Sequence, residues 1–413
     1  MKPLSVLYFF AVLFGFSFLS CSKWPLKTPV ERKDIVLTKA QKEVLESSQV
    51  FAIDFFKEMC RYLEKDNLFV SPLSASLALS AVTNGGAGTT REDMKSALGF
   101  GNFSMEQMNG FYKTLVPALK KVDNTVDLFV ANAVWIEKTF PVKNSFTGSL
   151  KDYYDASVKK LDFSDPKAPE TINKWCKDNT NGMIKKIIDR IDPQYKLFYT
   201  NALYFKGDWE KTFDKKDSRE GPFRNASGSI SQVVFMEQTE TFRYYAHEKT
   251  ALAELPYGNE AFSMVLVLPD EGISAEDLAL SLNIAIWNDW MEALSPAKLH
   301  LRMPRFELAF DTEDMMMPVL TRMGMGIAFD SQRADFSNIS EIPLFIDMVK
   351  QSACIQVDEE GTKAAAVTIV GVGVTSAGPG PQPILFHVDR PFLLFIKEKS
   401  TGTILFSGLI KKL

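Results

Sequence analysis

Asp358-Glu359-Glu360-Gly361-Thr362-Lys363-Ala364-Ala365-Ala366-Val367-Thr368-Ile369-Val370-Gly371-Val372-Gly373-Val374-Thr375-Ser376 joins residues that rarely share a segment. Ala364 to Val370, with Val372 and Val374, suit burial, whereas Gly371, Gly373 and the exit Gly378-Pro379-Gly380-Pro381 suit an exposed loop. A segment that is loop in one state and strand in another satisfies both. In a strand alternate side chains share a face, so Thr362, Ala364, Ala366, Thr368, Val370, Val372 and Val374 would form a side without charge. The other side carries Lys363, Ala365, Val367, Ile369, Gly371, Gly373 and Thr375, and its one charge sits at the start, where a strand end reaches water. Taken alone, the same residues also fit an ordinary buried strand or a small-residue loop.

The surrounding chain has 413 residues, 46% of them apolar, enough for one large domain or two ordinary ones. Its 47 basic and 51 acidic residues are interspersed and leave a net charge of −4, which lacks the basic field that nucleic-acid binding requires.

Residues 1–20 have the build of a signal peptide: Lys2, an apolar run from Leu4 to Leu19, and a stop at Ser20-Cys21. A membrane anchor is the rival reading, but the run is short for a span and no basic cluster follows it. Phe18-Leu19-Ser20-Cys21 resembles a bacterial lipobox with Phe in place of the usual Leu, which makes Cys21 a lipidation site and the only expected link to a membrane. An exported protein is expected, either a cell-surface or outer-membrane lipoprotein or a secreted one. Residues 21–40 lack a core-forming period and read as a tether. Cys60, Cys176 and Cys354 are odd in number and widely spaced, so they suggest buried thiols and neither a disulfide framework nor a zinc site.

Helical spacing of Val44, Leu45, Phe51, Phe55, Phe56, Met59, Tyr62 and Leu63 predicts a first helix over 41–65. Ser71-Pro72 reads as an N-cap followed by proline at the first helical position, and Asn84-Gly85 as the stop. Thr89-Thr90 is expected to cap a further helix ending at Leu98, and 105–121 mixes helix and turn signals. A helix is expected over 166–178 with Ile172, Trp175 and Cys176 inward, and one continuous helix over 274–294. Residues 126–135 and 196–207 read as buried strands, the second with Asn201 at its centre in need of a partner. Further strands are expected at 233–236, 241–245, 251–255, 263–268, 298–303 and 306–310, and the mixture indicates an α+β fold.

Enzymatic chemistry finds little support. The only histidines, His247, His300 and His387, lie in or beside strand-like sequence, and His387 reads as structural. No nucleophile elbow, phosphate-binding glycine loop or HExxH motif occurs, so no catalytic residue, metal or cofactor is expected.

Glu359-Glu360-Gly361-Thr362-Lys363-Ala364-Ala365-Ala366-Val367-Thr368 is similar to the hinge of inhibitory serpins, which has the form Glu-Glu-Gly-Thr-x-Ala-Ala-Ala-x-Thr. The resemblance spans residues 41–413 and is most specific at Phe386-His387-Val388-Asp389-Arg390-Pro391-Phe392. It continues through 67–90, Asn201 to Trp209, Leu255-Pro256-Tyr257 and Met303-Pro304-Arg305-Phe306. It implies a single serpin domain with three β-sheets, about eight or nine helices and an exposed reactive loop over about 361–383. The implied activity is irreversible suicide inhibition of serine proteases by a monomer: loop cleavage, acyl-enzyme trapping and insertion of the cut loop into the main sheet. Cysteine proteases form a second class of implied partner, and a non-inhibitory binding or carrier serpin is the alternative.

The resemblance also assigns Ser71, Ser74, Asn201, Trp209, Arg305 and Gln351 to the region where the sheet opens. Gln351 stands where the family often has histidine; glutamine can donate and accept hydrogen bonds but does not titrate. Arg305 and Glu359 are expected to pair near the top of that sheet. In inhibitory members the cut follows the fourteenth residue after the hinge glycine, which from Gly361 is Thr375-Ser376, with Val374 as neighbour. A Val-Thr bait suits elastase-like or subtilisin-like proteases. Trypsin is a poor target because no Lys or Arg lies between Lys363 and Arg390.

Overall fold

The computed structural model describes residues 30–180, 182, 185–192, 194–312, 314–362 and 382–413. The leader, Cys21, Lys363 to Thr368 of the hinge, and the Val374-Thr375-Ser376 bait lie outside the described residues. Nine α-helices and three sheets occur among the residues described.

The first helix, α1 (Lys39–Arg61), starts at Thr38, whose hydroxyl and Gln41 cap one another, and its apolar stripe from Val44 to Met59 is buried. The described part of the expected tether makes contacts with the domain. Leu37 is buried, the Val30 and Ile35 amides donate to Asn124 and Ser400, and the Val30 carbonyl accepts from Asn259. After β1 (Asn67–Val70), Ser71 caps α2 (Pro72–Thr83), whose small residues let it lie almost wholly buried. In α3 (Gly88–Ala97) the cap position is Ala87, without a side-chain bond, so Thr89 and Thr90 do not serve as the cap. The ambiguous segment beyond is one helix, α4 (Met105–Leu119), fixed by a Ser104/Gln107 capping box.

Strand β2 (Asp127–Glu137) precedes α5 (Asn144–Tyr154), β3 (Ala156–Leu161), α6 (Ala168–Asn179) and β4 (Leu197–Asp208). Ile172, Trp175 and Cys176 of α6 pack on Trp135 and Phe198 of β2 and β4, a second core across the sheet from α2. The strands β5 (Arg219–Arg224), β6 (Ile230–His247), β7 (Thr250–Tyr257) and β8 (Phe262–Pro269) follow, and the two strands expected within 233–245 are the single β6. The expected continuous helix is two, α7 (Ala275–Ser281) and α8 (Ile284–Ala293), because the Asn283 side chain accepts from the Ile286 amide and starts a new helix. Then come β9 (Ser295–Pro304), β10 (Phe306–Asp311), α9 (Met316–Leu320), β11 (Ser352–Val357), β12 (Gly361–Thr362), β13 (Ile384–His387), β14 (Phe392–Glu398) and β15 (Ile404–Ile410).

A nine-stranded sheet runs β1-β15-β14-β8-β7-β6-β9-β13, with β5 also on β6; a four-stranded sheet runs β12-β4-β2-β3; β10 and β11 pair separately. Cys60 and Cys176 are buried, as expected, whereas Cys354 on β11 is only partly so. Among the described residues no helix is long and apolar enough to cross a membrane.

Candidate functional site

Strand β4 bonds β2 along one edge over ten residue pairs, from Asp127↔Lys206 to Ile136↔Leu197. Along its other edge the described ladder is two pairs long, Gly361↔Asp208 and Thr362↔Gly207, antiparallel. β11 is bonded to β10, and among the described residues no ladder joins it to β4. The chain therefore turns out of β11 and begins a new strand on β4.

The turn is built by Asp358, whose carboxylate accepts from the Glu360 and Gly361 amides at 3.0 and 3.3 Å. Glycine is required at 361: φ is +149°, and a Cβ there would collide with the Gly207 carbonyl and stand 2.6 Å from Asp208 Cα. Thr362 is buried, its hydroxyl 2.9 Å from that of Tyr257, which stacks on Trp209 at 4.4 Å between ring centroids. Trp209 donates its indole N–H to the Asp358 carbonyl and its amide to the Glu360 carbonyl, both at 2.9 Å, and the Phe213 amide donates to the Glu359 carbonyl. Glu359, 2% exposed, accepts from the Ser218 hydroxyl at 2.8 Å and faces the Arg305 guanidinium at 3.4 Å; Glu360 pairs with Lys215 at 2.5 Å.

Carboxylates crowd this corner. Burial raises the pKa of Asp208, and Glu360, Asp127 and Asp358 add to it against the pull of Lys206. Burial also raises Asp358, with the two turn amides acting the other way.

A second polar cluster lies six residues along β4. Gln351 accepts from the Ser71 amide at 2.7 Å and donates to the Ser71 carbonyl at 2.9 Å, while the Ser71 hydroxyl donates to the Leu405 carbonyl at 2.6 Å and accepts from the Ser74 amide. The Ser74 hydroxyl donates to Asn201, which donates to Asn132 at 2.7 Å, and Asn132 donates to the Tyr154 carbonyl. One chain of bonds thus connects β15, α2, β4, β2 and α5. Glutamine at 351 meets its partners by donating and accepting at once.

The expected site residues therefore fall into two groups. Trp209, Arg305 and Glu359 to Thr362 gather at the β12 corner, and Ser71, Ser74, Asn201 and Gln351 gather beneath β4. Tyr257, Asp358, Ser218, Lys215, Asn132 and Tyr154 complete these groups and were not foreseen as partners. Only Asn132, an amide amid the apolar strand residues of β2, carried a signal comparable to that of Asn201.

The described residues thus place Gly361 and Thr362 as a strand start on the edge of β4, within an α+β domain of three sheets. The serpin (serine protease inhibitor) family profile matches residues 46–412. A serpin-like protein of Thermococcus kodakarensis is 31% identical over 383 residues, covering 92% of this chain and 88% of the relative. The leukocyte elastase inhibitor of Xenopus laevis is 32% identical over 370 residues, covering 87% and 96%. The crystal structure of the thermophilic serpin tengpin in its native state superposes with a TM-score of 0.82 at 31% identity, covering 93% of this chain and 98% of that one. The chain belongs to the serpin family, whose members are in general protease inhibitors and not catalysts.

Proposed function

We propose that this serpin is an irreversible suicide inhibitor of serine proteases, consumed when its reactive loop is cut and the loop enters the sheet beside β4. The observation that carries the reading is the seating of Gly361 and Thr362 on β4. Residues paired across an antiparallel ladder project to the same face. Extended in that register, Ala364 would lie opposite Phe205, Thr368 opposite Asn201 and Val372 opposite Leu197. The uncharged set from Thr362 to Val374 would then follow Thr362 toward the α2 side, where Leu203 and Phe205 belong to the main core. Lys363 would lie opposite Lys206, on the other face. Every added residue would exchange exposed apolar surface and unpaired backbone for burial and ladder bonds, a downhill process.

The scissile bond of this reading is Thr375-Ser376, and elastase-like and subtilisin-like proteases are the favoured targets. Incubation with such proteases should produce an adduct that survives SDS and release a C-terminal peptide beginning at Ser376, while trypsin forms little adduct. Turnover without adduct, or a principal inhibitory cut outside residues 373–378, would contradict the reading. Export accompanies this proposal, with residues 1–20 removed and Cys21 lipidated; labelling with a radioactive fatty acid, lost in Cys21→Ser, tests it.

A further inference from the structure

Two of the chain's three histidines face one another. In the parallel pairing of β13 with β9, His300 stands opposite Leu385 and Arg302 opposite His387, so both imidazoles project from the same face of the sheet. His300 Nδ1 lies 3.0 Å from His387 Nε2, with the ring planes at 63°. A shared proton accounts for this contact, and so does something more specific. At metal–nitrogen bonds of about 2.0–2.1 Å, two imidazole nitrogens on one ion stand roughly 2.9 Å apart at a right angle and roughly 3.3 Å apart at the tetrahedral angle. The observed separation falls between them.

We propose that His300 and His387 form a binding site for a divalent transition-metal ion that favours imidazole, such as Ni²⁺, Cu²⁺ or Zn²⁺, and that the bound ion clamps β13 to β9. The proposal is independent of protease inhibition. Glu237 on β6 supports the pair from behind, its carboxylate 3.9 Å from His300 Nε2 and 3.0 Å from the Arg302 guanidinium. There its charge offsets the Arg302 guanidinium beside the site. Among the described residues no group of three or more His, Cys, Asp or Glu side chains could hold a metal, so two protein ligands and water complete the coordination.

The strand to be clamped is lightly held. β13 has four residues, Ile384 and Leu385 are exposed, and Phe386 is its buried anchor. β9, by contrast, is bonded along its length to β6.

Calorimetric titration of the full chain with Ni²⁺ near neutral pH tests the site, paired with thermal unfolding at saturating ion. One ion per chain is expected, with a rise of a few degrees in the unfolding midpoint and release on acidification as the imidazoles protonate. His300→Gln and His387→Gln should each weaken binding at least tenfold and abolish the rise. His247→Gln, which changes the remaining histidine, and Cys354→Ser should leave both intact. In the Cu²⁺-loaded protein the electron spin resonance spectrum should carry coupling to two imidazole nitrogens. Absence of binding, binding retained in both His→Gln variants, or binding without a rise in midpoint would overturn the proposal.

Discussion

Thr362 shows how little space the start of the new strand leaves. Its side chain is 3% exposed and its hydroxyl meets Tyr257 beneath the Trp209 ring. An arginine there would bury a cation without a carboxylate, at a cost above the roughly 1–3 kcal/mol of an unpaired neutral group. Thr362→Arg, and Ala364→Glu one step along the same face of the proposed inserted strand, are therefore expected to turn the inhibitor into a substrate. The number of molecules consumed per protease inactivated should rise several-fold, and unchanged stoichiometry in both variants would refute the insertion register. Gln351 makes a separate case, because at a site 7% exposed it accepts from the Ser71 amide and donates to the Ser71 carbonyl, which also accepts from the Ala75 amide. Gln351→Ala leaves the Ser71 amide unpaired, while the Ser71 carbonyl keeps the Ala75 amide, and is expected to lower unfolding free energy by roughly 1–3 kcal/mol, read from urea titration. A loss below about 0.5 kcal/mol would mean that water replaces the amide fully.

At the scale of elements, β12 as described is two residues long and is held by side chains from several distant segments. Glu359 is held by Ser218 and Arg305, on either side of the long β6. Glu359→Lys places a second cation beside Arg305 and removes the acceptor for Ser218. The edge of β4 should then be exposed to strands of other molecules, and polymers are expected on mild heating. Native gels after incubation decide this, and a variant that stays monomeric and fully active would count against the role given to the pair. Why α1, α2 and β4 were legible from sequence while this corner was not is a matter of range. Helical periodicity, the Ser71-Pro72 start and the apolar run of 196–207 are local signals that survive folding. The partners of β12 come from positions 209, 213, 215, 218, 257 and 305, and contacts so distant in sequence leave no periodic trace. The loop-or-strand character of 358–376 was legible in its residues, but its reading as a hinge came only through resemblance to a family motif. The single helix expected over 274–294 failed for a local reason: Asn283 offers a cap that outweighs continuation through Leu282.

The whole molecule responds to acid through groups that pull in opposite directions. Burial works to raise the pKa of Glu254, but Lys397, Ser263 and Arg243 outweigh it and hold the carboxyl below its usual range; that stabilisation is lost as pH falls through the folded pKa. Asp208 and Asp358 are raised, so their contribution is present below the unfolded pKa and is lost as pH rises through the folded one. Asp358→Asn keeps an oxygen for the turn amides and removes the charge. It should raise the unfolding midpoint at neutral pH, with the gain vanishing below the carboxylate range; an equal gain at both pH values would assign the effect elsewhere. A different consequence follows from the order of the large sheet, in which β15 lies fully buried between β1 and β14. β1 is made more than three hundred residues before its partner. A chain emerging from the ribosome therefore carries β1 unpaired until the final strand is synthesised. Closure of this sheet must wait until β15 has been made, and were the chain exported during synthesis it would be threaded through its translocon before the core can form.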